Sequence, residues 1–484
     1  MADLWTALEE RTRAWTALAR QGLADAIWAD YVSLRYGRTG DPRALEYLYP
    51  YLNHADRGTR LAAIEVAARV FEGRGPRAVD GLGYFTANPA PFLRDRAVQV
   101  VGAAVAGSRD GVILETLAPY LAHGSQFVRK QALVALGKAA AGQASEPVLA
   151  EILRVADQPG PRPDEVEMAV ASAFSARPNE RVWDLVAKPD LASRIDTGNQ
   201  DAVALLVKGA PEEWYQRACE RVFEPRLHAD QPVGWTRDFI RRDGVTALSR
   251  ATAGRGMEPL TRMLHLRGSR CTGHAILFAA PRCFAGADIE ANRGPLLELM
   301  ETGDAPAQRI ASVCLGRLVM GVGDRPSIEA LRRLCGAPSR AVQAAALAGL
   351  GLAARSTCDD ELRGLCLERA ENEETSPAAI RALGMIFLGS GRDDVSADLR
   401  GLAASYQARP VRGKRYSKPL AACYAATGLL YLGTGSMEPV QSLLDVLARP
   451  RTSRMHEYQW VTARALVMIE FPESALGDEY ILLG

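Results

Sequence analysis

At 484 residues the chain is longer than one hydrophobic core usually supports, while 48% hydrophobic and 24% charged residues are ordinary for a soluble protein. A formal net charge of +1 argues against a protein held to nucleic acid or anionic membrane by its whole surface. No apolar run reaches membrane-spanning length. The polar start (Asp3, Glu9, Glu10, Arg11) does not read as a secretory signal. All eight cysteines fall between Cys219 and Cys423 at spacings that suggest neither a disulfide framework nor a zinc site. A cytoplasmic protein without metal or cofactor is expected.

In chain order, residues 1–40 read as two N-terminal capping helices, with Trp5, Trp15 and Trp28 as the bulky residues of a terminal unit. Residues 41–180 carry a repeat. Leu45, Leu48 and Leu52, then Leu82 and Phe85, then Leu114, Leu117 and Leu121 each open a first helix. A short turn follows, and a second helix then carries Arg three residues before Ala: Arg60/Ala63, Arg94/Ala97 and Arg129/Ala132. These arginines lie 34 and 35 residues apart, a period that signals stacked helix pairs. A fourth, weaker copy spans Pro147–Arg177, with a proline-rich loop at residues 157–164 that cannot be helical.

The period blurs over 181–295, where long connections and irregular apolar spacing suggest degenerate repeats. Trp214, Tyr215 and Trp235 lie there as a candidate aromatic surface. Cys271, His274 and Cys283 lack a fourth ligand, so no metal site is assigned. From 296 to 484 the pairs return and end in a C-terminal cap. Their second helices share a glycine-rich text: Leu347-Ala348-Gly349-Leu350-Gly351, Leu383-Gly384-Met385 and Thr427-Gly428-Leu429. Each glycine inside a helix costs about 1 kcal/mol relative to alanine, so repetition in register predicts close contact with the neighbouring helix.

These features resemble the HEAT-repeat (armadillo-like) family, well over Leu45–Gly142 and fairly over Leu296–Ile469. The glycine-rich second helices also look like proteasome/cyclosome repeats. The resemblance implies an all-α, right-handed α-solenoid of roughly 11–13 antiparallel helix pairs, and a scaffold for another protein. The chain departs from the family pattern in its turns, where only Asp56 supplies the usual Asp. Arg60, Arg94 and Arg129 are therefore expected to bond turn carbonyls of neighbouring repeats. His54 and His123, six residues before two of these markers, are expected to cap the carbonyls that end the first helices.

No catalytic motif is present. Second helices line the inner wall of such an array. Four-residue steps that start one residue past each marker put Leu61, Glu65, Arg69; Asp95, Gln99, Ala103; and Lys130, Val134, Lys138 on that face. Its mixed charge is unsuited to a phosphate backbone. Arg409, Arg412, Lys414, Arg415 and Lys418 fall in one loop and Arg449, Arg451 and Arg454 in the next, predicting a basic edge for an acidic protein segment. The main expectation is a non-enzymatic protein-binding scaffold. Two alternatives are a HEAT-like nucleic-acid binder resembling alkylpurine-DNA glycosylases, prompted by the basic loops and the aromatics, and a bilin-lyase-like protein, prompted by fold alone.

Overall fold

The structure is a computed structural model. It describes residues 36–443 except 42, 54–56, 77, 79–90, 159–161, 188–197, 228–233, 267–269, 409–416, 435, 437 and 440–441, together with residue 465. The described elements are all helical. The chain divides into two units, one of Trp28–Thr252 and one of Ala253–Gly484 with Met1–Ile27. The expected N-terminal cap at 1–40 lies almost wholly outside the described residues, and the C-terminal cap that ends at 484 wholly outside them.

The first unit alternates short first helices with second helices that pack on one another. α1 (Arg43–Leu52) pairs with α2 (Arg57–Phe71), and α3 (Pro91–Ala104) packs on α2. Next come the pairs α4 (Asp110–Leu121) with α5 (Gln126–Ala139), and α6 (Glu146–Ala156) with α7 (Pro163–Ala173). The period that blurs in sequence persists here in space: α8 (Glu180–Val186) pairs with α9 (Gly198–Val207). The last first helix is broken into α10 (Glu212–Ala218), which packs on α9, and a π turn (Cys219–Phe223) and α11 (Glu224–Leu227), which pack on α12 (Gly234–Ala251). Pro225 explains the break. It has no N–H for the Arg221 carbonyl and its ring crowds that position, so the Glu224 N–H bonds the Cys219 carbonyl one residue further back.

In the second unit α13 (Met257–Leu264) and α14 (Arg270–Ala279) lead through a 3₁₀ turn at Ala280–Phe284 into four regular pairs. These are α15 (Ile289–Thr302) with α16 (Ala305–Leu318), and α17 (Arg325–Leu334) with α18 (Arg340–Ala353). α19 (Asp360–Ala370) with α20 (Ser376–Ile386) and α21 (Asp393–Ala408) with α22 (Ser417–Leu430) complete the set. First helices start at side-chain caps: Asp288, Asp324 and Asp359 accept the N–H of Ala291, Ser327 and Leu362 at 2.7, 3.1 and 3.1 Å.

Glycine allows the second helices to touch. A Cβ on Gly351, Gly384 or Gly428 would lie 2.7, 2.7 and 2.6 Å from the Cα of Ala382, Ala426 and Ala465. Gly137 meets Ala169 in the same way, at 2.6 Å. The glycine-rich text of the sequence is therefore the contact line of one repeat on the next. Apolar faces fill the space between layers: Ala44, Leu48 and Leu52 of α1 with Ile64 and Val70 of α2, all buried. Each fully buried Leu, Ile or Val contributes about 1.5–3 kcal/mol. Leu45, grouped with Leu48 and Leu52 in the sequence pattern, packs only at the margin.

A second device links the repeats. The turn after each second helix places a residue at positive φ, and its N–H donates to the last carbonyls of the next second helix. Examples are Gly73 to Ala103 at 2.9 Å, Gly107 to Ala139 at 3.0 Å and Ala176 to Leu206 at 3.1 Å. In the second unit Ser356 bonds Met385 and Gly389 bonds Leu429, at 3.0 and 2.9 Å. Carbonyls in the last turn of a helix lack a donor inside it; the N–H of the neighbouring repeat adds to the local turn bonds that Ala103, Met385 and Leu429 accept from Ala106, Leu388 and Leu432, so each repeat caps its neighbour.

Candidate partner-binding face

In the first unit the face opposite the first helices holds a groove of ≈ 430 Å³ between α2, α3 and α5. Glu65 and Arg69 of α2, Gln99 and Ala103 of α3, and Val134 and Lys138 of α5 line it, with Ala68, Glu72, Ala106, Ala135 and Ala139. Six of the nine inner-wall positions obtained by four-residue steps thus stand on this groove. Of the other three, Leu61 and Lys130 are half-buried, and the side chain of Asp95 lies outside the described residues. The floor is alanine because the helices approach closely there. The rim carries two acids and two bases, partly tied down: Glu72 accepts Arg38 at 2.8 Å, and Gln99 donates to Gln131 at 2.6 Å, linking α3 to α5. One repeat further along, Lys130 faces Glu165 at 3.5 Å. Alternating charge over a small-residue floor suits a polypeptide backbone with mixed side chains better than a run of phosphates.

The marker arginine Arg129 bonds within its own repeat. Arg129 Nη1 donates to the carbonyls of His123 and Gly124 at 2.8 and 3.0 Å, which belong to its own turn rather than to the neighbouring repeat expected. A helical side chain leans back toward the helix N-terminus, and what lies there is the end of its own first helix. Gln308 to the Met300 carbonyl, Gln343 to Ala337 and Thr375 to Arg369 do the same at 3.0, 2.6 and 2.8 Å. The side of the turn requires a donor, not an arginine. Arg60 is half-buried, and the Arg94 side chain lies outside the described residues. His123 also differs from expectation: its Nδ1 accepts the Ser125 N–H at 3.0 Å instead of donating to a carbonyl. His54 lies outside the described residues.

Ion pairs also link repeats, several of them along the first helices. Glu146–Arg181 at 3.0 Å joins α6 to α8, and Glu180–Arg217 at 2.7 Å joins α8 to α10. Arg293–Asp324 at 2.9 Å joins α15 to α17, and Arg332–Glu361 at 3.2 Å joins α17 to α19. Arg363 of α19 holds both Asp394 and Asp398 of α21, the latter at 2.6 Å. Hydrogen bonds from Arg392 lead the causes that hold the Asp394 carboxyl well below the ordinary carboxylate value. Burial raises the Asp324 carboxyl, but bonds from Ser327 and the charge and bonds of Arg293 outweigh it and leave it below its ordinary value. Ion pairs that water still reaches are individually weak, so these set register more than stability.

Of the aromatic surface expected in the middle, Trp214 is half-buried and Tyr215 is buried. Tyr215 is 0% exposed and belongs to the core. Trp214 packs at 5.7 Å from buried Trp183, with the Arg217 guanidinium over both rings at 5.2 and 4.9 Å. Residues 214 and 215 are adjacent on a helix and so point to different sides, and the Trp183–Arg217 contact covers part of Trp214. The side chain of Trp235, on α12, lies outside the described residues. Of the basic edge, Lys418 is exposed in the first turn of α22; Arg409, Arg412, Lys414, Arg415, Arg449, Arg451 and Arg454 lie outside the described residues. Among the described residues no three metal-ligating side chains converge, and no helix is long and apolar enough to cross a membrane.

No family model matches the chain, and no curated protein matches its sequence. Among solved structures it is similar to importin beta in an ammonium sulfate condition, with 13% identity, TM-score 0.38, and 92% of this chain against 67% of that one. Yeast importin-beta (Kap95p) gives 12% identity, TM-score 0.39 and coverages of 88% and 62%. Importin beta in a polyethylene glycol condition gives 14%, 0.37, 88% and 65%. The chain thus spans about two thirds of the length of these proteins. Its description as an all-α stack of HEAT-like helix pairs stands on the packing described above.

Proposed function

We propose that the protein is a cytoplasmic, non-enzymatic scaffold that binds a segment of another protein along its second-helix face, with the basic loops from Arg409 to Lys418 and from Arg449 to Arg454 as an accessory edge for acidic residues. The observation that carries this reading is the groove between α2, α3 and α5, built from the residues that the repeat period places on one face. Its alanine floor admits close approach of a backbone, and its alternating Glu65, Arg69, Glu72 and Lys138 offer partners to side chains of either sign. A nucleic-acid cradle is the weaker alternative, since this rim is not of one sign.

The test is purification from the native source with identification of bound protein, for the wild type and for Ala103→Trp, which fills the groove. Recovery of the partner should fall about tenfold, equivalent to 1.4 kcal/mol, with helicity by circular dichroism unchanged. Undiminished recovery would remove the groove from the proposal. A joint change of Arg412, Lys414 and Arg415 to Glu tests the edge separately, and unchanged recovery would remove the edge alone.

A further inference from the structure

Two arginines of the second unit stand together without an acid. Arg317 lies in the last turn of α16 and Arg355 just past the end of α18, so they sit at the same end of two second helices in contact. Both guanidinium groups point at one thioether: Arg317 Nη1 is 3.4 Å and Arg355 Nη1 3.9 Å from Met320 Sδ. A thioether is only a weak acceptor. Arg317 Nε is buried with no hydrogen-bond partner. Among the described residues no carboxylate pairs with either arginine, whereas Arg293, Arg332, Arg363 and Arg392 of the same unit are each held by one or more.

A cation in the last turn of a helix is favoured by the helix dipole, which accounts for each arginine alone but not for their convergence. Like charges brought together and partly desolvated are unfavourable unless something neutralises them. Burial and the Arg317 charge accordingly hold the Arg355 guanidinium below its ordinary value. Two residues beyond Met320, Val322 stands 61% exposed between Gly321 and Gly323, both at positive φ. Among the described residues it is the large hydrophobic side chain that this unit leaves in solvent.

We propose that Arg317 and Arg355 form an anchoring site for a carboxylate of an acidic protein segment, clasped between the two guanidinium groups while a neighbouring apolar side chain of that segment rests on Val322. Guanidinium groups match carboxylates in a planar, two-pronged way. The exposed valine favours a polypeptide over a free phosphate or a phosphodiester, which have no apolar group to place there. The kind of occupant rests on the scaffold reading; the site itself lies in the other unit from the groove and stands on its own geometry.

The experiment uses the full chain and a short fluorescein-labelled peptide alternating Glu and Leu. It is run in the background of Arg412→Glu, Lys414→Glu and Arg415→Glu, so that the basic loop does not compete. Fluorescence anisotropy should show binding that weakens with salt and falls at least about tenfold in Arg317→Gln/Arg355→Gln. Absence of peptide binding, equal binding by the double variant, or displacement of the peptide by millimolar inorganic phosphate would each overturn the proposal. Thermal melts give an independent readout. Removing one of two unneutralised like charges should leave Tm of Arg355→Gln unchanged or raise it, and a lowered Tm would make the pair structural and overturn the assignment. Because the groove variant and the arginine variants are read separately, failure here leaves the scaffold reading standing, and the reverse also holds.

Discussion

Gly384→Ala tests the packing of repeat on repeat. A methyl group at residue 384 would sit 2.7 Å from the Cα and 2.9 Å from the Cβ of Ala426, against an ordinary carbon–carbon separation of about 3.5–4.0 Å. α20 and α22 must therefore part by about 1 Å, or both must bend. The obstacle is backbone, so no side chain can swing aside, and the upper part of the overpacking range of about 1–3 kcal/mol applies. Alanine returns about 1 kcal/mol of helix propensity, leaving a net loss of about 2 kcal/mol. Gly364 of α19 is the control: it is exposed, and an added Cβ there meets nothing within 4 Å. Gly364→Ala should stabilise by up to about 1 kcal/mol. Native-state hydrogen exchange is the suitable assay, because a repeat array opens region by region. Amides of α20 and α22 should exchange about 30-fold faster in Gly384→Ala and those of α19 more slowly in Gly364→Ala. If both variants shift exchange in the same direction, the contact line assigned to these glycines is wrong.

Three further outcomes follow from the same structure. Ala144 and Ala176 hold the inter-repeat turn at φ 55 and 62, a conformation that costs an L-residue about 1–2 kcal/mol; Ala176→Gly should raise the denaturation midpoint, and a lowered one would contradict the turn geometry. Asp324 and Asp394 have folded pKa values below their ordinary ones, so their stabilisation is complete above about pH 4 and is lost as pH falls toward the folded values. Melting temperature should fall on acidification below that point, and fall less in Asp324→Asn; an identical pH profile would show that the Arg293 and Ser327 contacts contribute nothing. Among the described cysteines, burial pushes the Cys335 and Cys423 thiols up to about 12, while Cys358 is half-exposed. Alkylation at neutral pH followed by peptide mass spectrometry should modify Cys358 first, and early labelling of Cys335 or Cys423 would refute the burial.

The repeat period, the all-α class and the strip from Glu65 to Lys138 are visible in the sequence because each depends on spacing along a helix. Residues four apart share a face whatever surrounds them, so stepping on from the residues just past Arg60, Arg94 and Arg129 leads to the groove. The glycine text is visible for the same reason, since a costly residue recurring in register needs a packing cause. The inter-repeat turn was also written in the chain, in Gly73, Gly107, Gly142, Gly321 and Gly389, and its period runs on through the middle at Ala176 and Gly209. Apolar spacing hides it there, because the signal is a backbone conformation and not a face.

Other features depend on which chain segments meet, and composition carries no trace of that. Arg363 finds carboxylates 31 and 35 residues away, and Arg129 turns to its own repeat when a neighbouring one was expected. Trp214 and Tyr215 are adjacent in sequence but divide between the Trp183–Arg217 stack and the core. Arg317 and Arg355 are unremarkable as letters, one in a helix and one in a turn. Only the contact of α16 with α18 brings their charges onto Met320. The sequence alone determines a stack of helix pairs and the face each residue takes, because helix geometry is local. The partners of the charges, and with them the acid-free cationic pair, were decided by the tertiary structure, because Coulomb and packing terms act through space between residues that the chain keeps far apart.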